Sequence, residues 1–331
     1  MAPIHTSRSR RRLMTVLAAV LALVVVPLLP VTASAQDTTV SNPLTINWAS
    51  LLPGFIGPFD PASSNECLSG KDICAKKTIK EMENQLDSLA ENCDHNAVFS
   101  LAYTRITQGY NWIRTTTNAD GSRYYQDTAW LNYVVETFAR AYLGAFDKWT
   151  VNDPTLPAAW QIAFDAAAAK RATGTGNLLL GINAHINRDL AFVMAASGLI
   201  RPDGESGKPD YDKVNELLLM LTKPLTAELA ARLDSSMASG DGSLADPASY
   251  QLIVGWRERA WRNAEALASA KTDEEWQLTA ARIERDTAAE GALLLASNAY
   301  LPPLTTSQQR DAYCAANHSA PAPMSYPFSL K

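Results

Sequence analysis

Histidine and cysteine are both scarce in this chain, with four of each in 331 residues. They form neither an HExxH pair nor a CxxC pair, which excludes the commonest zinc-hydrolase and thiol-redox patterns. A GxSxG turn for a serine nucleophile and a GxGxxG loop for a dinucleotide are missing as well. The string Gly204-Glu205-Ser206-Gly207-Lys208 resembles a phosphate loop only in part. Pro202 and Pro209 stand where that motif needs Gly and Ser or Thr, so the string reads as a loop between helices. Period-two alternation never runs long enough to build a sheet.

What is present begins with an export signal. Arg8, Arg10, Arg11 and Arg12 precede an almost wholly apolar run, Leu13 to Pro30, and then the small-residue site Ala33-Ser34-Ala35. This order predicts a signal peptide over residues 1–35, cut before Gln36. The run is close to the ~18–20 residues of a membrane anchor, but its late prolines and the A-x-A site favour cleavage. The segment from Ser9 to Met14 fits a twin-arginine signal, and the strongly apolar run fits the general secretory route. The leader holds four of the 29 basic residues and none of the 34 acidic ones, leaving 25 against 34 and a net charge of −9. Such an acidic body disfavours nucleic acid and anionic membranes as partners. No membrane span is expected after cleavage, and a small molecule or a cell-envelope component is the expected partner. The localisation expected is secreted or extracytoplasmic.

In that compartment Cys67, Cys74, Cys93 and Cys314 read as two disulfides. Ile79, Met82, Leu86 and Leu89 share one helical stripe, so a helix over 75–92 holds Cys74 and Cys93 about 28 Å apart at 1.5 Å per residue. A disulfide spans at most about 7 Å between Cα atoms, which excludes that pair. Cys67–Cys74 with Cys93–Cys314, and Cys67–Cys93 with Cys74–Cys314, both remain. The short CLSGKDIC loop favours the first.

Helical periodicity dominates the rest. It predicts an all-α fold, an irregular multi-helix bundle in a single domain with two disulfides. The expected organisation is an irregular segment over 36–66, a helical domain over 67–300 and a C-terminal tail over 301–331 tied by Cys314. Helices are expected near 75–92, 95–116, 127–149, 157–172, 177–198, 211–222, 224–238, 247–271 and 273–299. Pro157 suits a first turn, Gly198 a helix end, and Thr272 with Glu275 a capping box.

Two clusters are candidates for chemistry. Around Gly181-Ile182-Asn183-Ala184-His185-Ile186-Asn187-Arg188-Asp189, polar groups interrupt a strongly apolar helix. Residues four apart share a helical face, so His185 stacks with Asp189, and Asn183 with Asn187 on the opposite side. Asp189 then orients His185 as a general base or metal ligand, or else the four tie neighbouring helices together. In Cys93-Asp94-His95-Asn96, Asp94 suits an N-cap and His95 lies in the first turn, where the helix dipole keeps it neutral. A divalent metal at these histidines needs carboxylates such as Asp94, Asp189, Asp210 or Glu136 besides. Arg257, Arg259 and Arg262 lie beside Trp256 and Trp261 and suggest either an anionic ligand or arginines paired with Glu258 and Glu265 on a solvated face.

CDHNAVF, LLLGINAHINRDLAFVMAASGL and RPDGESGKPDYDKVNELL together resemble the DUF5995 family, a family of unknown function, over roughly residues 67–300. The resemblance implies a histidine-rich polar or metal-binding centre inside a helical bundle. His95, His185, Asn183, Asn187, Arg188, Asp189, Asp210 and Asn215 match the family pattern. Tyr133, Val134 and Tyr211 depart from it, standing where the pattern has His, Glu and His, so up to three candidate ligands are missing. Two functions follow as expectations. One is an exported hydrolase with His185 and Asp189 at its centre, supported by His95, Asp94, Asn183, Asn187 and Arg188. The other is a non-catalytic secreted binding or envelope-associated protein in which the same network is structural.

Overall fold

The computed structural model describes residues 46–238 and 244–330. The export signal expected over residues 1–35 lies outside the described residues. Among the described residues there are eleven α-helices: α1 (Trp48–Leu51), α2 (Asp72–Glu91), α3 (Ala97–Ile113), α4 (Thr128–Thr150), α5 (Ala158–Ala168), α6 (Gly174–Ile182), α7 (Leu190–Ser197), α8 (Lys208–Arg232), α9 (Pro247–Ala268), α10 (Asp273–Ser297) and α11 (Ser307–Asn317). A π-helix, Asn183–Asp189, joins α6 to α7 without a break, and Ser235–Met237 is a short 3-10 turn. Among the described residues there is no strand, only three isolated bridges. The all-α bundle expected from periodicity is the fold observed.

The rod α6–π–α7 is the axis. Its two α-helical ends are apolar nearly all round, so the rod belongs inside, and α3, α4, α5, α9 and α10 pack about it. Gly198, with φ near +77°, closes the rod; a side chain there would strain the left-handed backbone. α2 places Ile79, Met82, Leu86 and Leu89 inward, as its stripe predicts. Each such side chain contributes about 1.5–3 kcal/mol when fully buried.

Both disulfides have the favoured pairing. Cys67 and Cys74 lie 5.2 Å apart between Cα atoms, and Cys93 and Cys314 lie 5.8 Å apart. The second holds α11 against the entrance to α3, where the buried Arg310 bonds the carbonyls of Cys93 and Asp94. Among the described residues no helix is long and apolar enough to cross a membrane.

Four local expectations are corrected. Pro224 does not divide two helices, because α8 runs through it. The lost N–H bond and ring clash cost about 3 kcal/mol, which the inward row Leu217, Leu221, Leu225 and Leu229 offsets. Thr272 caps α10 through the Glu275 N–H, but Glu275 reaches back to the Lys271 N–H rather than its own cap, so the box is not closed. A closed box appears instead at Thr306 and Gln309, where residues expected to be irregular tail form α11. Its buried Arg310 and Cys314 supply the tertiary hold that the local composition lacks. Within 36–66, Trp48–Leu51 is one helical turn, and Trp48 packs edge-on to Trp276.

Candidate functional site

The π-helix falls on the polar segment singled out by sequence. Each π turn takes in an extra residue, so side chains are aimed differently from those of an α-helix. His185 turns into the gap between α3 and α4, where its ring lies flat on Phe138, centroids 3.4 Å apart and planes 5° from parallel. Tyr103 meets it edge-on at 4.2 Å. Its Nδ1 is 3.5 Å from Asp189 Oδ2, close enough to feel the carboxylate but outside hydrogen-bonding geometry, and neither ring nitrogen has a hydrogen-bond partner among the described residues. Burial pushes the His185 pKa below its ordinary range despite Asp189, so the ring is neutral.

Asp189 is occupied elsewhere. Its Oδ2 accepts from Trp160 Nε1 at 2.7 Å and its Oδ1 from Arg188 Nη1 at 2.6 Å. Arg188, itself buried, also donates to Glu284 and to the Leu51 carbonyl. Asn183 donates to the Thr287 carbonyl, and Asn187 donates to Asn183 Oδ1 at 2.9 Å and accepts from Arg259. These bonds tie the rod to α1, α5, α9 and α10, and none leaves an exposed reactive atom.

His95 lies apart from His185, with Phe99 in the walls of both surroundings. Its Nε2 bonds Asp311 at 3.0 Å and its Nδ1 accepts from Asn177 at 3.3 Å, an assignment consistent with neutral histidine. Burial is the main cause of its lowered pKa, with Arg310 next. Asp94 bonds the Asn96 N–H. Phe99 fits because Gly181 faces it: a Cβ on Gly181 falls 2.4 Å from the Phe99 ring. Asp210 accepts from the N–H groups of Gln126 and Asp127 and stabilises the loop before α4. Glu136 is held by Thr78 and Arg140, with burial raising its pKa. His95, His185, Asp189 and Asp210 therefore do not share one ligand cluster. Among the described residues the one group at ligand spacing is Cys67, Cys74 and Glu136, and both thiols are in a disulfide.

His185 instead faces a cavity of about 1100 Å3, counting the space at its mouth, between α3, α4, the π-helix, α8 and α9. Ala102, Val134, Val135 and Val214 leave the room; Ile106, Leu131, Leu217, Leu221 and Ile253 complete an apolar wall. Sequence reasoning missed this space because it arises between helices distant in the chain. Most polar lining groups are satisfied by the protein. Tyr110 bonds Asn132, Tyr211 the Arg257 carbonyl, Tyr250 the Asn215 carbonyl, Thr107 the Tyr103 carbonyl and Thr222 the Leu219 carbonyl. The Tyr103 hydroxyl and both His185 nitrogens are left over.

The basic, aromatic stretch divides. Trp256 and Trp261 are buried, Arg262 pairs with Glu258, and Arg259 pairs with Glu290. Arg257 does not join a solvated face. It is buried, lines the cavity, and lies over the Tyr211 ring with its guanidinium carbon 4.3 Å from the centroid.

No curated protein and no solved structure is significantly similar to the chain. The sequence profile of DUF5995, a family of unknown function, matches residues 75–297, well over half of the 331 residues and nearly every element that builds the cavity, and the chain belongs to that family.

Proposed function

We propose that this protein binds an apolar small molecule in the cavity beside His185, and that it does so outside the cytoplasm. The supporting observation is the cavity itself. It has the composition usual for a ligand pocket: apolar walls with a few polar groups. At its wall the His185 nitrogens and the Tyr103 hydroxyl have no hydrogen-bond partner among the described residues, so a bound molecule whose polar function reaches one of them gains orientation there. The two disulfides and the export-type leader support the extracytoplasmic setting.

A hydrolytic role for His185 has less support. A general base needs a nucleophile or a held water within hydrogen-bond reach, and among the described residues no hydroxyl or thiol bonds either ring nitrogen. Asp189 is engaged by Trp160 and Arg188 rather than aligned on the imidazole. The test is to purify the protein without a tag from its native host, extract it with organic solvent and analyse the extract, with titration of an environment-sensitive apolar dye alongside. A stoichiometric apolar molecule and saturable dye binding are expected. An empty extract together with no dye binding overturns the reading.

A further inference from the structure

Among the described residues six arginines are buried: Arg105, Arg114, Arg188, Arg201, Arg257 and Arg310. Five have a carboxylate partner, namely Glu228, Asp72, Asp189 with Glu284, Asp203 with Asp210, and Asp311. The pattern follows from electrostatics, because a guanidinium taken out of water without a counter-charge loses several kcal/mol of hydration. Arg257 is the exception: among the described residues it has no carboxylate within ion-pair distance. Its Nε donates to Asn215 Oδ1 at 2.7 Å and its Nη2 to the Tyr211 carbonyl at 2.6 Å, while Nη1 has no hydrogen-bond partner among the described residues.

The clamp on this cation is well built. Tyr211 stacks beneath the guanidinium and donates its hydroxyl to the Arg257 carbonyl, and Asn215 one turn later on α8 fixes Nε. Tyr211 and Asn215 belong to the KPDYDKVN string, whose purpose sequence alone left open. Among the described residues that line the cavity, Arg257 is also the only charged side chain.

We infer that the bound molecule is an amphiphile with one carboxylate, a long-chain carboxylic acid, whose head pairs with Arg257 while its hydrocarbon chain fills the apolar cavity. This rests on the proposal that the cavity binds an apolar molecule and names its head group. One guanidinium matches a single negative charge; a phosphate monoester brings close to two, and among the described residues no second cation lines the cavity to meet it. A carboxylate supplies the missing counter-ion and hydrogen-bonds the free end of the guanidinium in its own plane. Neutral His185 and Tyr103 add no charge.

The experiment compares hexadecanoate with hexadecanol, which share a chain length and differ in head group, by titration calorimetry on the full chain and on Arg257→Gln and Arg257→Lys. The wild type is expected to bind the acid at least about 10-fold more tightly than the alcohol, the scale of a hydrogen bond to a charged group. Arg257→Gln is expected to remove that difference and Arg257→Lys to keep part of it. Equal binding of acid and alcohol by the wild type, or a preference that persists in Arg257→Gln, overturns the carboxylate assignment and leaves the apolar-cavity reading standing. Binding of neither compound overturns that reading, and the assignment falls with it. The wild-type comparison decides the question if Arg257→Gln does not fold.

Discussion

His185 lies flat against Phe138, ring centroids 3.4 Å apart, and neither of its nitrogens has a hydrogen-bond partner among the described residues. An imidazole stacked in this way, at 3% exposure, is held neutral by burial. The unfolded chain takes up a proton at histidine near pH 6.5, and the folded chain resists it. Because the unfolded state then binds more protons, stability falls as pH drops through about 6.5. His95, also lowered by burial, acts in the same window. His185→Phe should flatten part of the decline between pH 7 and 5.5 in urea-unfolding midpoints. An unchanged decline in that variant counts against a neutral, desolvated His185.

Ala102 lines the cavity without filling it. Ala102→Phe places a ring in that space, so apolar burial is gained and little packing is displaced. Thermal stability should be unchanged or slightly higher, while affinity for apolar dye drops by about 10-fold or more. Dye binding that survives the substitution places the dye elsewhere.

Arg188 and Asp189 form a buried ion pair that also holds Trp160, Glu284 and the Leu51 carbonyl. Removing one member of such a pair leaves the other uncompensated, at about 3–5 kcal/mol. Arg188→Ala and Asp189→Ala should each cost about that much in chemical denaturation. A loss below about 1 kcal/mol in both contradicts a structural role for the pair.

The two disulfides close loops of very different length, with sequence separations of 7 and 221 residues. Constraint of the unfolded chain grows with loop length, giving upper values of about 2 kcal/mol for Cys67–Cys74 and about 5 for Cys93–Cys314. Cys93→Ser with Cys314→Ser should lower the melting temperature well beyond Cys67→Ser with Cys74→Ser. The reverse order means that native-state contacts outweigh chain entropy.

Much of this protein was decided locally. Helical periodicity specified the class and most of the helices, since a period of 3.6 survives wherever one face is buried. The inward stripe of α2 held Cys74 and Cys93 apart, which excluded one disulfide pairing. The polar interruption at Asn183 to Asp189 marked the one π-helix among the described residues, although its altered turn was not legible, because a π turn has no composition of its own. What tertiary structure alone decided are the properties that arise between elements. Asp189 went to Trp160 and Arg188 instead of squarely to His185. His95 went to Asp311, 216 residues away. Arg257 was legible as a residue but not as a buried cation, because burial depends on α8 and α9 meeting, and nothing local to either helix encodes that meeting. A cavity is the limiting case: it is space that packing leaves, and no residue in the chain carries its signal.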